Sequence, residues 1–478
     1  MISKIIRKIL GKPVKKSVNG PTSGNDLQPK KITVKVHQID PKLISPNAIK
    51  VTQTLQQAGY KAYIVGGAVR DLILGIKPKD FDVATNATPD QVQALFKKSR
   101  VIGKRFQIIH VTFYNNSSHA RDRMEIIEVS TFRALLVETG KHIANSGRVL
   151  SDNVWGSQSE DATRRDFTIN AMFYDPSTQV VLDYHGGMAD IASRVLRMIG
   201  DPATRYREDP VRMLRAVRFA AKTGFTLEQN TLEPISQSAS LIHDVPGARL
   251  FDEMLKLLMS GHAWSSMTKL REVGLDQGLL PMLDVILEQS DQTSFAKLAL
   301  DRTDERILQG KSISPGFLFA ALLWHQVEQQ WKLNIKGGKP SIVCLNEAID
   351  EVLSAQREVF AIQRRFETDM REIWSLQPRF EKRVGKMPYR LLESARFRAG
   401  YDFLCLRCQV GELPSELSTW WENFQNGSLE DREKLLVDVK SERSPSTSDM
   451  PGKSRRRRRR GVKGKEALEN DDQSQQSF

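Results

Sequence analysis

Two aspartates one residue apart, Asp80 and Asp82, follow a glycine pair, Gly66-Gly67, in the stretch YIVGGAVRDLILGIKPKDFDVATNA from Tyr63 to Ala87. A short apolar run ends in the glycines, which let the backbone turn tightly and come within hydrogen-bonding distance of a phosphate. The helix predicted next offers N–H groups and the positive end of a dipole at its start. On a predicted strand, Asp80 and Asp82 point to the same face and can share a hard, oxygen-seeking cation such as Mg²⁺. Neither half is specific alone, since a Gly-Gly pair is usually only a turn and Asp-x-Asp usually a solvated face. Together they describe metal-assisted chemistry on a nucleoside triphosphate.

Three further clusters carry charge in useful patterns. In EIIEVSTF the period-2 alternation puts Ile127 and Val129 on one face and Glu128 with Ser130 on the other, so Glu128 is a candidate third carboxylate. The run Glu160-Asp161-Ala162-Thr163-Arg164-Arg165-Asp166-Phe167-Thr168-Ile169-Asn170 reads as a polar rim entering a buried helix, and equally as a structural knot of ion pairs. From Arg207 to Phe219 a predicted helix places Arg212, Arg215 and Arg218 near one another, with Met213, Leu214 and Val217 toward a core. Asp209 in its first turn can fix Arg212 at i, i+3. Solvated arginine stripes are common, but an oriented guanidinium is also a rigid donor fork, and a carboxylate accepts from an exocyclic amine.

The joint pattern resembles the nucleotidyltransferase superfamily that includes DNA polymerase β. The wording GGAVRD…KDFDVATNATP resembles the branch holding bacterial poly(A) polymerases and tRNA CCA-adding enzymes. That resemblance implies Asp80, Asp82 and Glu128 as ligands for two Mg²⁺ ions (Mn²⁺ as a substitute), with Asp161 a fourth active-site carboxylate. The metals would activate a primer 3′-hydroxyl and stabilise departing pyrophosphate. The resemblance also places Gly66, Gly67, Arg70 and Arg164 at the nucleotide, and has the helix with Asp209, Arg212, Arg215 and Arg218 read base and triphosphate without a template. ATP would be the substrate.

The elements that must position these residues imply an α+β fold. Residues 47–59 suggest a helix and Lys61–Val65 a strand running into the Gly-Gly turn. Thr88-Pro89-Asp90-Gln91 opens a helix with a capping box. Strands follow at Ile108–Tyr114 and Met124–Thr131, and residues 138–153 read as a long loop or lid. Beyond residue 190 the periodicity is helical, with examples at Pro210–Lys222, Ala248–Ser260, Gly316–Gln330 and Glu351–Leu376. The expected organisation is a basic arm and linker (1–44), an α/β catalytic head with a mixed sheet (45–187), a helical nucleotide-binding neck (188–250), a helical RNA-binding body (251–440) and a disordered arginine-rich tail (441–478).

Composition narrows the function further. The formal charge is +14 over 478 residues, and it is concentrated at the ends. Residues 1–36 hold nine Lys/Arg against one acid, and residues 441–478 hold ten against six, including the unbroken run Arg455–Arg460. Flexible cationic arms suit loose, salt-sensitive capture of a polyanion. Ile2, Ile5, Ile6, Ile9 and Leu10 fall at helical spacing beside Lys4, Arg7 and Lys8, so residues 2–10 could rest peripherally on an anionic membrane or stay an unstructured basic arm. No apolar run reaches the length of a membrane span. The three cysteines, Cys344, Cys405 and Cys408, cannot build a disulfide framework and fit a reducing cytoplasm; the Cys405/Cys408 pair reads as packing.

Within the family, VIGKRFQIIHV (Val101–Val111), the run DNVWGSQSEDATRRDFTINAMFYD and the arginine-rich extension resemble the poly(A) polymerases more than the CCA-adding enzymes. Lys104, Arg105 and His110 could contact RNA, or be surface charge and a core histidine. Arg364-Arg365-Phe366, Tyr389-Arg390 and Arg396-Phe397-Arg398 interleave cations with aromatics as single-strand grooves do, although core packing explains the rings as well. The expected function is addition of adenylate to RNA 3′ ends, with RNA ends and the RNA-degradation machinery as partners. CCA addition to tRNA is the competing reading. An inactive RNA-binding relative would have lost part of the carboxylate set, which is complete here.

Overall fold

The computed structural model describes residues 27–103, 107–114, 124–134, 154–275, 295–359 and 362–442. The amphipathic start at residues 2–10, Lys104 and Arg105, the segment 138–153 and Arg455–Arg460 lie outside them.

An eight-stranded mixed sheet forms the head. Its strands are β1 (Lys30–Ile32), β2 (Ala62–Val65), β3 (Asp82–Thr85), β4 (Ser99–Ile102), β5 (Ile108–Tyr114), β6 (Met124–Thr131), β7 (Met172–Asp175) and β8 (Val180–Asp183), in the order β1-β8-β7-β2-β3-β6-β5-β4. β3 and β6 run parallel, and the other neighbours in this sheet are antiparallel. β2 lies near the middle with Ala62, Ile64 and Val65 buried, as a strand covered on both faces must be. Helix α1 (Pro46–Gln57) packs against the sheet through Ala48, Val51, Thr52 and Leu55. Ser45 caps it by accepting from the N–H groups of Asn47 and Ala48, and Pro46 fills the first helical position. The Thr88–Gln91 capping box forms as its sequence requires.

α2 (Gly67–Ile73) follows β2 directly. The acidic and basic run after residue 157 does not enter a buried helix through FTINAMFY. It makes α3 (Gln158–Arg164), a 3-10 turn at Thr168–Asn170 and then strand β7. The reason is local: Phe167–Tyr174 are buried on all sides, so a strand covered on both faces and a helix leave the same apolar pattern.

Helices dominate from Pro202 onward. α4 (Pro202–Glu208) and α5 (Val211–Thr223) form the neck, and α6 (Gly247–Leu258) packs beside α5. Two expected long helices are each broken in two. Pro315–Leu322 and Trp324–Ile335 meet at Leu323, and Ser341–Val359 is separate from Arg364–Phe380. At the first break Leu323 is buried like its neighbours, so periodicity alone does not mark it. One hydrophobic cluster runs from Ile32 of β1 through the neck to Leu406. A second, built on Phe380, Phe397, Trp420, Trp421 and Phe424, closes the C-terminal end. Phe366 and Phe397 are buried in these cores, with Arg365 lying over Phe366 and Arg396 paired to Asp369. Cys405 and Cys408 sit unpaired in the helix Phe397–Gln409.

Polar contacts fasten the neck to the head. Arg215 of α5 donates from Nε and Nη2 to one oxygen of Asp166, at 2.9 and 2.5 Å. The other oxygen accepts from the Phe167 N–H at 2.8 Å and from the Asn170 amide at 3.3 Å. Arg205 of α4 reaches the carbonyls of Arg164 and Arg165 at 2.6 and 2.7 Å, satisfying acceptors that the end of α3 leaves open. Lys222 bonds Asp71 at 3.1 Å, and Phe167 meets Phe219 edge-on.

Burial alone would raise the Asp166 carboxyl, but Arg215 and the N–H donors of Phe167 and Asn170 reverse this and bring it down to about 2. A carboxyl lowered on folding adds stability above its unfolded pKa of about 3.9, and that share disappears as pH falls toward about 2. We expect Asp166→Asn to destabilise the protein by about 2 kcal/mol at neutral pH, because half-buried Arg215 loses its carboxylate partner. The gap to the unsubstituted protein should narrow by roughly 2 kcal/mol between pH 4 and pH 2. Urea unfolding across that range checks this, and a gap that does not change with pH would rule the linkage out.

Candidate active site

β2 ends in a backbone turn that few residues other than glycine can make. Gly66 has φ +74° and ψ −140°. A β-carbon there would lie 3.6 Å from both the Asp82 Oδ2 and the Arg165 Nη1. The turn therefore brings main chain close to a carboxylate and a guanidinium together.

Asp82 opens β3 with Val65 beside it on β2 and Glu128 beside it on parallel β6, so Asp82 and Glu128 share a face of the sheet. Asp80 is not on the strand as its spacing suggested. It sits in the bend two residues before β3 and is exposed. Burial of its carboxyl by surrounding protein, then the negative charge of Glu128, push Asp82 up to about 6, with Asp80 adding to the effect and Arg165 opposing it. The residue still has solvent access from the cleft, so it is crowded rather than sealed. Glu128 Oε1 lies 3.4 Å from His110 Nε2 on β5, which makes His110 a neighbour of the carboxylates. Among the described residues no three His, Cys, Asp or Glu side chains converge into a metal cage. The donors present are all carboxylate oxygens with mutually repelling charge, which suits Mg²⁺ or Mn²⁺ held by few protein ligands and by substrate phosphates.

A cleft of about 360 Å³ lies over this point. The head supplies Gly66, Gly67, Asp82, Arg165, Asp166 and Asn170 to its wall, and the neck supplies Asp209, Arg212, Arg215 and Phe219. Five of the residues expected at a nucleotide, Gly66, Gly67, Asp209, Arg212 and Arg215, thus face one cavity. Three others do not line it. Arg70 is buried, with its guanidinium on Asp71 and on Asn170 Oδ1 at 2.7 Å. Arg218 pairs with Glu253 of α6 at 2.9 Å. Arg164 bonds Asp161 at 3.2 Å, and its neighbour Arg165 takes the cleft position.

Asp161 is likewise set back. Both of its oxygens are taken, one by the Arg133 N–H and Arg164 and the other by Arg165 at 3.0 and 3.2 Å. Burial favours its neutral form, yet Arg165 and Arg164 hold the carboxyl below its ordinary range. It reaches the cleft through Arg165, so its geometry is that of a positioning residue.

Asp209 is not the partner of Arg212. Its Oδ2 accepts from Arg249 of α6 at 2.7 Å, while Arg212 bonds Glu208 at 2.9 Å and the Arg205 carbonyl at 3.0 Å. The Asp209 Oδ1 is buried and has no hydrogen-bond partner. An oriented acceptor without a donor, beside the Arg212 fork, is suited to an amine-bearing base.

Sequence reasoning did not single out Arg165, Asp166, Asn170 and Phe219 at the cleft. The first three were visible in the charged run; Asn170, four residues after Asp166, was the available signal. Phe219 carried no separate signal, since it also fits the helix's apolar face. Three guanidiniums, of Arg70, Arg215 and Arg218, lie over its ring at 5.2, 5.4 and 4.4 Å.

Comparison with known proteins identifies the family. Residues 62–197 match the family model for the poly A polymerase head domain, 224–287 the model for the probable RNA and SrmB-binding site of polymerase A, and 337–461 the model for the polymerase A arginine-rich C-terminus. The poly(A) polymerase I of Escherichia coli O6:H1 is 43% identical over 438 residues, covering 89% of this chain and 92% of that protein. The poly(A) polymerase I of Haemophilus influenzae is 42% identical over 419 residues, covering 85% and 90%. Among solved structures, the Bacillus stearothermophilus CCA-adding enzyme in complex with CTP superposes with a TM-score of 0.53 at 25% identity, covering 83% of this chain and 84% of that one. By identity and coverage along nearly its whole length, this chain belongs to the bacterial poly(A) polymerase I family.

Proposed function

We propose that the protein adds adenylate to RNA 3′ ends without a template, using ATP and releasing pyrophosphate. The observation that carries this reading is one cleft in which a glycine turn, a crowded carboxylate and the Asp209–Arg212–Arg215 face of the neck meet, in a chain of this family. The cleft itself favours a base with an exocyclic amine, which adenine and cytosine both have. The choice of adenine over CCA addition rests on the relatives: a CCA-adding enzyme of Geobacillus is 39% identical over 236 residues, 49% of this chain.

In this mechanism Asp80, Asp82 and Glu128 would hold the divalent cations, with Mg²⁺ preferred and Mn²⁺ able to replace it. Bound there, the ions would supply Lewis acidity at the 3′-hydroxyl and the leaving phosphates. The residues of the chain do the rest. Gly66 and Gly67 admit the phosphates close to main chain. Arg165, held by Asp161, and Arg215, held by Asp166, present fixed positive charge to the triphosphate, so little reorganisation is needed as charge shifts toward pyrophosphate. Asp209, held by Arg249, accepts from the base amine, and Arg212 donates beside it.

Purified protein with Mg²⁺ and single nucleotides tests the reading. ATP should extend an unstructured RNA primer into long ladders, and Asp80→Ala or Asp82→Ala should lower the rate by roughly 10³-fold, a loss of several kcal/mol of charge stabilisation. Extension confined to a tRNA lacking CCA, with CTP used before ATP, would move the assignment to CCA addition.

The base-reading role has its own test. Asp209→Ala should lower kcat/KM for ATP by about 10- to 100-fold and shrink the preference for ATP over UTP, whose base offers no exocyclic amine. An equal loss for both nucleotides would reduce Asp209 to a support for Arg249.

A further inference from the structure

A second cavity, of about 700 Å³, has Asp80 and Phe81 in its wall, so that the short ridge of residues 80–82 borders both it and the first cleft. The first cleft has Asp82 in its wall and not Asp80; this groove has Asp80 and not Asp82. Two residues of chain therefore separate two cavities, and each cavity meets one of the paired aspartates.

The groove is built for a polyanion with flat apolar parts. Lys42, Lys77 and Lys79 all line it and are exposed, and none has an ion-pair partner among the described residues. Two acids share the wall with them: Asp80, a candidate metal ligand, and Glu125, whose oxygens accept from the Ser45 hydroxyl and from the Asn47 amide at 2.6 Å. Leu43 and Met124 add apolar surface, with Met124 50% exposed. Charge disfavours the chain's own N-terminal segment as occupant, since residues 1–26 hold six Lys/Arg against one acid.

We infer that this groove seats the 3′-terminal nucleotides of the RNA, with Lys42, Lys77 and Lys79 on backbone phosphates and Leu43 and Met124 against bases. The inference rests on the polymerase reading above. In-line transfer puts the attacking hydroxyl and the leaving pyrophosphate on opposite sides of the α-phosphorus. A nucleotide in the Asp82 cleft and an RNA end in the Asp80 groove meet at the ridge in that arrangement. The lysines contact only phosphates, so the groove takes any RNA sequence.

Two measurements on the full-length protein test it. The first is steady-state extension by Lys42→Ala/Lys77→Ala/Lys79→Ala over a range of salt. KM for the RNA primer should rise about tenfold and KM for ATP should stay as it was. The slope of log affinity for RNA against log salt should fall by about 2, three phosphate contacts at roughly 0.7 each. The triple Lys→Arg variant should restore both. The second is photocrosslinking of a primer with 4-thiouridine at its 3′ terminus, which should label peptides containing Leu43 or Met124. An unchanged primer KM and salt slope, a rise in the ATP KM alone, or crosslinks confined to the helices beyond residue 251 would each overturn the assignment. The two readings fail separately. Protein that crosslinks in the groove but adds no adenylate refutes the polymerase reading and keeps the groove, whereas active protein with crosslinks elsewhere refutes the groove alone.

Discussion

The site depends on one ion pair whose carboxylate is buried. The sheet of the head and the arginine helix of the neck are far apart in sequence, and the cleft exists only where they meet. Asp166 and Arg215 set that meeting. The Asp166 carboxylate is only 9% exposed and would be costly to bury without the half-buried Arg215 guanidinium, so the pair favours docking of both elements in one register. The contacts of Arg205 with α3 and of Lys222 with Asp71 repeat the constraint at two other points. Head, neck and much of the body then share one continuous apolar core, which leaves little room for the cleft walls to drift.

Much of the positioning at the site is indirect, and it follows a common rule. The groups facing the cavity are each gripped from behind by an opposite charge: Arg165 by Asp161, Arg215 by Asp166, Asp209 by Arg249 and Arg212 by Glu208. Long side chains lose their rotamer freedom on folding rather than on binding, which is the physical meaning of preorganisation. The arrangement also explains why the charged run at 160–170 supported two readings at once. It is a knot of ion pairs, and the knot is what aims the cleft residues.

The sequence made the parts legible and left their pairing open. The glycine turn, the β6 alternation around Glu128, the Thr88 capping box and the arginine helix all depend on neighbours within a few residues, and all could be located that way. What depended on distant chain was not visible. Nothing local indicates that Asp209 prefers Arg249, forty residues on, over Arg212 at three, or that Arg218 is taken by Glu253. The choice of Arg165 over Arg164 turns on which of two adjacent side chains points past the end of α3. The strand at Met172 was hidden because complete burial removes the alternation that separates strand from helix. The split at Leu323 was hidden because the buried face continues across it.

The two-residue ridge between the cavities also bears on how a tail would grow. Each transfer leaves the newly added nucleotide on the Asp82 side, where the next triphosphate must enter. The strand must then slide by one unit across the ridge before another addition can occur. Holding the strand by phosphate charge and by apolar contact that is indifferent to base identity suits such a slide, because neighbouring registers are nearly equal in energy. Translocation, rather than the bond-forming step, would then set tail length through the competition between sliding and release.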